Sequence, residues 1–136
     1  KSMDILGNGS ITSAPLSADL LSPDGVNEVY FGDIQTQGAI AVTVVWGIFD
    51  GPIEERMLVE WDQVFDDVHF PWSITGDPTK IDFENISTHE LGHSMGLIDL
   101  YGPVCYQQTM YGYASFGQTQ KRTLEKGDIK GINLLY

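Results

Sequence analysis

Residues 89–99 read HELGHSMGLID, and this stretch constrains the chain more than any other. At about 3.6 residues per helical turn, His89 and His93 fall on one helix face with imidazoles close enough to hold a single ion. Glu90 then points toward the ion's open side. Gly96 permits a left-handed or sharply bent backbone, which would stop the helix and swing Asp99 back toward the histidines. Three protein donors with a fourth position left to water describe a catalytic zinc site. An isolated HExxH also occurs in helices where His and Glu only solvate a surface. Here a glycine follows the second histidine at three residues and a carboxylate three further on, with a Met-Tyr pair at 110–111 in a turn-rich stretch, and together these favour the metal. The competing third ligand is a downstream carboxylate such as Glu125, with Asp99 only capping the helix end; Gly96 argues for Asp99.

Over residues 82–136 the chain resembles the matrixins, a branch of the metzincin metallopeptidases. Thr109, Met110 and Tyr111 are similar to that family's Met-turn, an apolar floor beneath the metal, and a thioether is too soft a donor to serve as a ligand itself. The ending TLEKGDIKGINLLY, residues 123–136, is similar to the final matrixin helix, in which Asp128 matches an aspartate that anchors the Met-turn; as an acid of the first turn it could equally serve the helix dipole. The likeness is weaker over 39–70 and not evident before residue 28. One position departs: matrixins carry a third histidine where this chain has Asp99, a replacement shared with the snapalysin-like branch. Carboxylate oxygen binds zinc at about 2.0–2.2 Å, close to imidazole nitrogen, so a His, His, Asp set is coordinatively sound. Its charge lowers the site from about +2 to about +1, which polarises a bound water less.

The resemblance implies an α+β domain with a twisted mixed β-sheet, a zinc-binding helix, a Met-turn and a C-terminal helix. It implies one catalytic Zn2+ and hydrolysis of peptide bonds, with Glu90 as the general base. Peptide substrate would lie extended along an edge strand, for which Ala39–Trp46 is the candidate. The specificity pocket would be walled by Asn85 and by the segment Tyr113 to Phe116. A second reading keeps the zinc but makes the domain a non-catalytic adhesion or regulatory module; the retained Glu90 argues against it.

Composition bounds the rest. A chain of 136 residues makes one domain. With 19 acidic against 7 basic side chains its formal charge is -12, which repels phosphate backbones and anionic lipid and excludes nucleic acid as a partner. No run approaches the roughly 18 apolar residues that span a bilayer. The start at Lys1 suggests a mature or trimmed segment of a longer precursor, and a secreted or extracellular location is expected although this chain carries no signal. Cys105 is the single cysteine and reads as a bystander thiol. His69 is the only histidine outside the zinc helix, so a second histidine-based zinc is not expected. Asp66, Asp67, Asp77 and Asp82 lie in loops around that helix and are candidate Ca2+ ligands, although none follows a fixed calcium-loop pattern and solvated acidic loops are the plainer reading.

Residues 1–27, rich in Gly, Ser, Asn, Asp and Pro, read as mostly loop, with apolar pieces at Ile5–Leu6 and Leu16–Leu21. Strands are expected at Glu28–Ile34, Ala39–Phe49 and Arg56–Phe65, the last with Met57, Val59, Trp61 and Phe65 on one face. Asp50, Gly51 and Pro52 form turn chemistry. Helices are expected over Phe83–Met95 and from an N-cap at Thr123, with Leu124, Ile129, Ile132 and Leu135 on an apolar face. No amphipathic run of helical length precedes Glu28, so the strand and backing helix usual in matrixins are not found. The sheet would then need an N-terminal segment from elsewhere, a homodimer or another chain to cover it.

Overall fold

The computed structural model describes residues 8–135; the apolar pair Ile5–Leu6 and the terminal Tyr136 lie outside them. Three strands, β1 (Glu28–Gly32), β2 (Ala41–Ile48) and β3 (Met57–Asp66), form the main sheet in the order β1-β3-β2. β1 runs parallel to β3, while β2 pairs antiparallel with it after the turn at Gly51, whose φ of 82° suits glycine. A small parallel pair, β4 (Trp72–Ser73) with β5 (Ile81–Asp82), leads directly into helix α1 (Phe83–Ser94). Helix α2 (Lys126–Leu135) closes the chain. The architecture is α+β with a mixed sheet.

β3 is the central strand and carries most of the burial. Phe65, Ile81 and Ile86 form the core, flanked by Ile40, Ala41, Phe70, Trp72, Phe83 and Ala114. Phe65 meets the rings of Phe31, Trp72 and Phe83 at centroid distances of 5.0 to 5.8 Å. Such tilted and edge-on contacts add to what area burial alone contributes. On the same face Gln63 Nε2 donates to Ser94 Oγ at 2.9 Å, tying the strand to the end of α1.

The opposite face of β3 is acidic and nonetheless buried. Glu60, Asp62 and Asp66 are each 1% exposed. Asp62 accepts the backbone N–H groups of Asp19 and Glu28 at 2.9 and 3.0 Å, and Glu60 accepts that of Gly25. Asn27 Oδ1 accepts Trp61 N, and Trp46 Nε1 donates to Asp19 O. The irregular segment ahead of β1 is therefore pinned across the sheet by side chains that satisfy its backbone donors. Its lack of regular structure agrees with the sequence; its role as a cover does not follow from composition.

The sequence places Met57 and Val59 on one face with Trp61 and Phe65, and here the structure differs. Trp46 pairs with Glu60 but Gly47 with Leu58, so the ladder shifts register opposite Val59. A bulge of this kind breaks the two-residue alternation, and Met57 and Val59 remain about half exposed, at 53% and 48%. At the second helix the expected N-cap moves as well. Thr123 is extended, with its carbonyl accepting Thr109 Oγ1, and the first helical bond runs from Ile129 N to Glu125 O. Asp128 Oδ2 accepts Glu125 N and so caps the helix from its first turn. The close packing expected at Gly131 is present, since a Cβ there would lie 2.9 Å from Leu97 Cδ2.

Candidate metal centre

Helix α1 begins where Asp82 Oδ1 accepts Asn85 N at 3.0 Å, and ends at Gly96, whose φ is 86°. Between those limits the one-turn spacing stacks the two imidazoles, with Nε2 of His89 and Nε2 of His93 at 3.2 Å. Each Nδ1 faces a backbone carbonyl, that of Thr109 at 2.7 Å for His89 and that of Leu97 at 2.8 Å for His93. A carbonyl can only accept, so both Nδ1 atoms carry protons, and in the neutral imidazole that tautomer leaves the Nε2 lone pair free. The left-handed turn at Gly96 returns the chain so that Asp99 Oδ1 lies 3.2 Å from His89 Nε2 and 3.5 Å from His93 Nε2.

Asp99 Oδ1 is buried and has no hydrogen-bond partner among the described residues. With both imidazoles neutral, three acceptors converge, an arrangement that like partial charges alone would disperse. Zinc bonds of about 2.0–2.1 Å arranged tetrahedrally give ligand-to-ligand edges of roughly 3.3–3.4 Å. The observed edges of 3.2, 3.2 and 3.5 Å match that figure, so the donor set fits a zinc ion. Glu125 lies outside this group of ligand atoms, its N–H engaged by Asp128 at the start of α2.

Surrounding residues hold the donors in place. Tyr101 Oη donates to Asp99 Oδ2 at 2.9 Å, which leaves Oδ1 for the metal; that bond raises the Tyr101 hydroxyl pKa. Glu90, 5% exposed, receives the Thr43 hydroxyl of β2 on Oε2 at 2.6 Å. Burial raises its pKa, and the Thr43 bond opposes the rise. Burial, reinforced by the Lys121 ammonium, pushes His89 down to about 4, and Lys121 is itself brought down by burial to about 8. Lys121 Nζ donates to the Tyr111 carbonyl and stands 3.5 Å from His89 Nδ1.

Met110 is 2% exposed beneath α1, and a Cβ on Gly92 would collide with its Sδ. Asp128 fixes the turn from below by accepting Thr109 N at 3.1 Å and Met110 N at 3.3 Å. The floor under the histidines is therefore set by a side chain of α2.

The three ligand atoms open into a cleft of about 680 Å³. Gly38 to Thr43, including the start of edge strand β2, line one side, and Tyr101, Tyr113 and Ala114 line the other. Of the residues expected to wall the pocket, Tyr113 does so and Asn85 and Phe116 do not. Asn85 is 1% exposed because its Oδ1 accepts Lys121 N at 2.8 Å, a structural tie. Phe116 is half exposed, outside the cleft lining.

The loop carboxylates read as calcium candidates already have protein donors. Asp82 takes Arg122 at 2.6 and 2.8 Å, Asp77 takes Thr79, and Asp66 takes Val68 N, His69 N and His69 Nδ1. Neither Asp67 nor Cys105 belongs to any group of three clustered ligand atoms among the described residues. Thr43, Tyr101 and Lys121 escaped the sequence reading. Tyr101, two residues after a ligand, offered a local signal; Thr43 and Lys121 reach the site only through the fold. Among the described residues no helix is long and apolar enough to cross a membrane.

A family model described as Matrixin matches residues 55–136, more than half of the chain. No curated protein and no solved structure matches.

Proposed function

The chain belongs to the matrixin family, and from that premise we propose that it is a zinc-dependent endopeptidase with His89, His93 and Asp99 as metal ligands and Glu90 as general base. The observation that carries the reading is the convergence of two imidazole Nε2 atoms and a carboxylate oxygen at tetrahedral spacing beside a buried carboxylate. Zinc bound there supplies a Lewis acid that polarises the scissile carbonyl and acidifies a water.

Glu90 takes the proton of the attacking water and delivers it to the leaving amine. Its elevated pKa suits both halves of that task, because a carboxylate that is too weak a base would not accept the proton. Thr43 fixes one Glu90 oxygen and so orients the carboxylate from the strand beside it. Lys121 places positive charge behind His89, on the side away from the ligand atoms. β2 has a partner on one edge only, among the described residues, and its first half borders the cleft. An extended peptide adds to that free edge by backbone hydrogen bonds, with Tyr113 against its side chains.

Secretion belongs to the same proposal and rests on family membership. Association through the sheet is supported by Val29 and Phe31 of β1, which are 46% and 48% exposed.

Glu90→Gln tests the assignment. The variant is expected to retain zinc and fold while hydrolysis of a quenched peptide falls by about 10² to 10⁴. Equal turnover at matched zinc loading would instead favour the non-catalytic module.

A further inference from the structure

Behind His89 stands a cation to which the hydrolysis gives no task. Lys121 is the only Lys or Arg among the residues that line the cleft. Its backbone N–H donates to Asn85 Oδ1 at 2.8 Å, which sets it against the first turn of α1. Lys121 is 1% exposed, and Ile86 and His89, which line the cleft with it, are buried as well. An ammonium brings three N–H donors. One reaches the Tyr111 carbonyl. The other group within range, His89 Nδ1 at 3.5 Å, already gives its proton to the Thr109 carbonyl and so has no lone pair to offer. No carboxylate forms a salt bridge with Lys121 among the described residues: Asp99 faces the histidine Nε2 atoms, and Glu90 is held by Thr43.

A buried ammonium with one acceptor and no counter-ion is costly. The remedy that the cleft leaves open is an anion carried in by the substrate, and away from bulk water such a charge-assisted pair is strong. Resting on the endopeptidase reading, we propose that Lys121 is a specificity residue that pairs with a carboxylate side chain of the substrate, on a residue flanking the scissile bond. The position follows from His89, which turns Nδ1 to Lys121 and Nε2 to the other metal ligands. One imidazole therefore separates the ammonium from the reacting centre, and the side chains within range are those next to the bond that breaks. The preference is local. The chain as a whole, at a formal charge of -12, repels acidic peptides, so long-range steering works against an acidic substrate and cannot produce the selectivity.

The test uses zinc-loaded protein and a quenched peptide of uncharged residues along which a single Glu, or a single Gln in its place, is stepped position by position. Mass spectrometry locates the cleaved bond. Wild type is expected to prefer Glu over Gln in kcat/KM by about 10-fold or more when that residue flanks the bond on one side. A Glu several residues away is expected to give no gain, because there only net charge acts. Lys121→Met is expected to bring the ratio of Glu to Gln rates to about 1. Lys121→Gln, which keeps a donor for the Tyr111 carbonyl, is expected to do the same and guards against a folding defect in the first variant. Binding of the same peptides to zinc-loaded Glu90→Gln, followed by fluorescence anisotropy, repeats the comparison without turnover. A Glu preference in binding, lost with Lys121 and accompanied by no cleavage in wild type, would refute the endopeptidase reading and uphold the role of Lys121. No Glu preference at any position, or one that survives in both folded Lys121 variants, would overturn the proposal.

Discussion

Acid is expected to weaken the zinc-stripped protein through His89 before its salt-bridged carboxylates give way. An unfolded histidine titrates near about 6.5, whereas burial and the nearby Lys121 hold folded His89 at about 4. Between those values the unfolded chain binds a proton that the folded chain refuses, so stability falls as pH falls. Integrated from pH 6.5 down to pH 4.5, the difference amounts to about 2 kcal/mol. Other groups act in different windows. Hydrogen bonding to Asp66 raises His69, whose contribution is fully present below the unfolded value and is lost only as pH rises through the raised one. Lys121, at about 8, is protonated in both states throughout the acid window.

Asp77 and Asp82 are held low by hydrogen bonds from Thr79 and from Arg122 respectively. At Asp66 burial pulls upward, and bonds from His69 and Val68 outweigh it. The stability these three contribute is lost only as pH drops below the ordinary carboxylate range. Glu90 opposes His89, since burial raises it and the folded state protonates first. The measurement is therefore urea unfolding of zinc-stripped Glu90→Gln, followed by tryptophan fluorescence at both pH values. A free energy that stays flat or rises on acidification would mean that folded His89 accepts the proton, and the assignment of its Nε2 as a free donor atom would fail.

Tyr101→Phe should lower zinc affinity by about 10-fold or more while leaving the fold intact, because it frees Asp99 Oδ2 and the ring is 58% exposed; chelator competition measures it, and unchanged affinity would remove Tyr101 from the site. Asp99→Ala should strip zinc where Glu125→Ala does not, read as metal content per chain. Asp128→Ala leaves the N–H groups of Thr109, Met110 and Glu125 without their acceptor. It should cost about 3 kcal/mol or more in urea unfolding, and a loss below about 1 kcal/mol would show that the Met-turn holds itself.

The motif helix was legible because everything that shapes it is local. One-turn spacing aligns His89 with His93, Asp82 caps the first turn, and Gly96 supplies the positive φ that brings Asp99 round. Contacts across the fold left no such trace. Thr43 and Glu90 are 47 residues apart in the chain, and Thr43 reads as one more β-branched residue of a strand. Glu60, Asp62 and Asp66 look like a solvated strand face, since acids alternate there with apolar residues. They are buried because their acceptors meet backbone donors of the preceding segment and of the turn after β3, a match that periodicity cannot express. Similarly, the bulge at Val59 shifts the face of two apolar residues, and its one local cue, Gly47 on the facing strand, sits in a run that reads as continuous apolar strand.

The two carbonyls that hold His89 and His93 bear on the order of events in the protein's life. Thr109 and Leu97 lie on either side of Asp99 in the chain; Leu97 is set by the turn at Gly96 and Thr109 by the Asp128 carboxylate. The tautomers are consequently fixed when the polypeptide reaches its native form, and a metal arriving later meets lone pairs already turned toward it. A metal binding after folding would then find its ligands already oriented, and the ordering of the site would not have to be supplied by the ion.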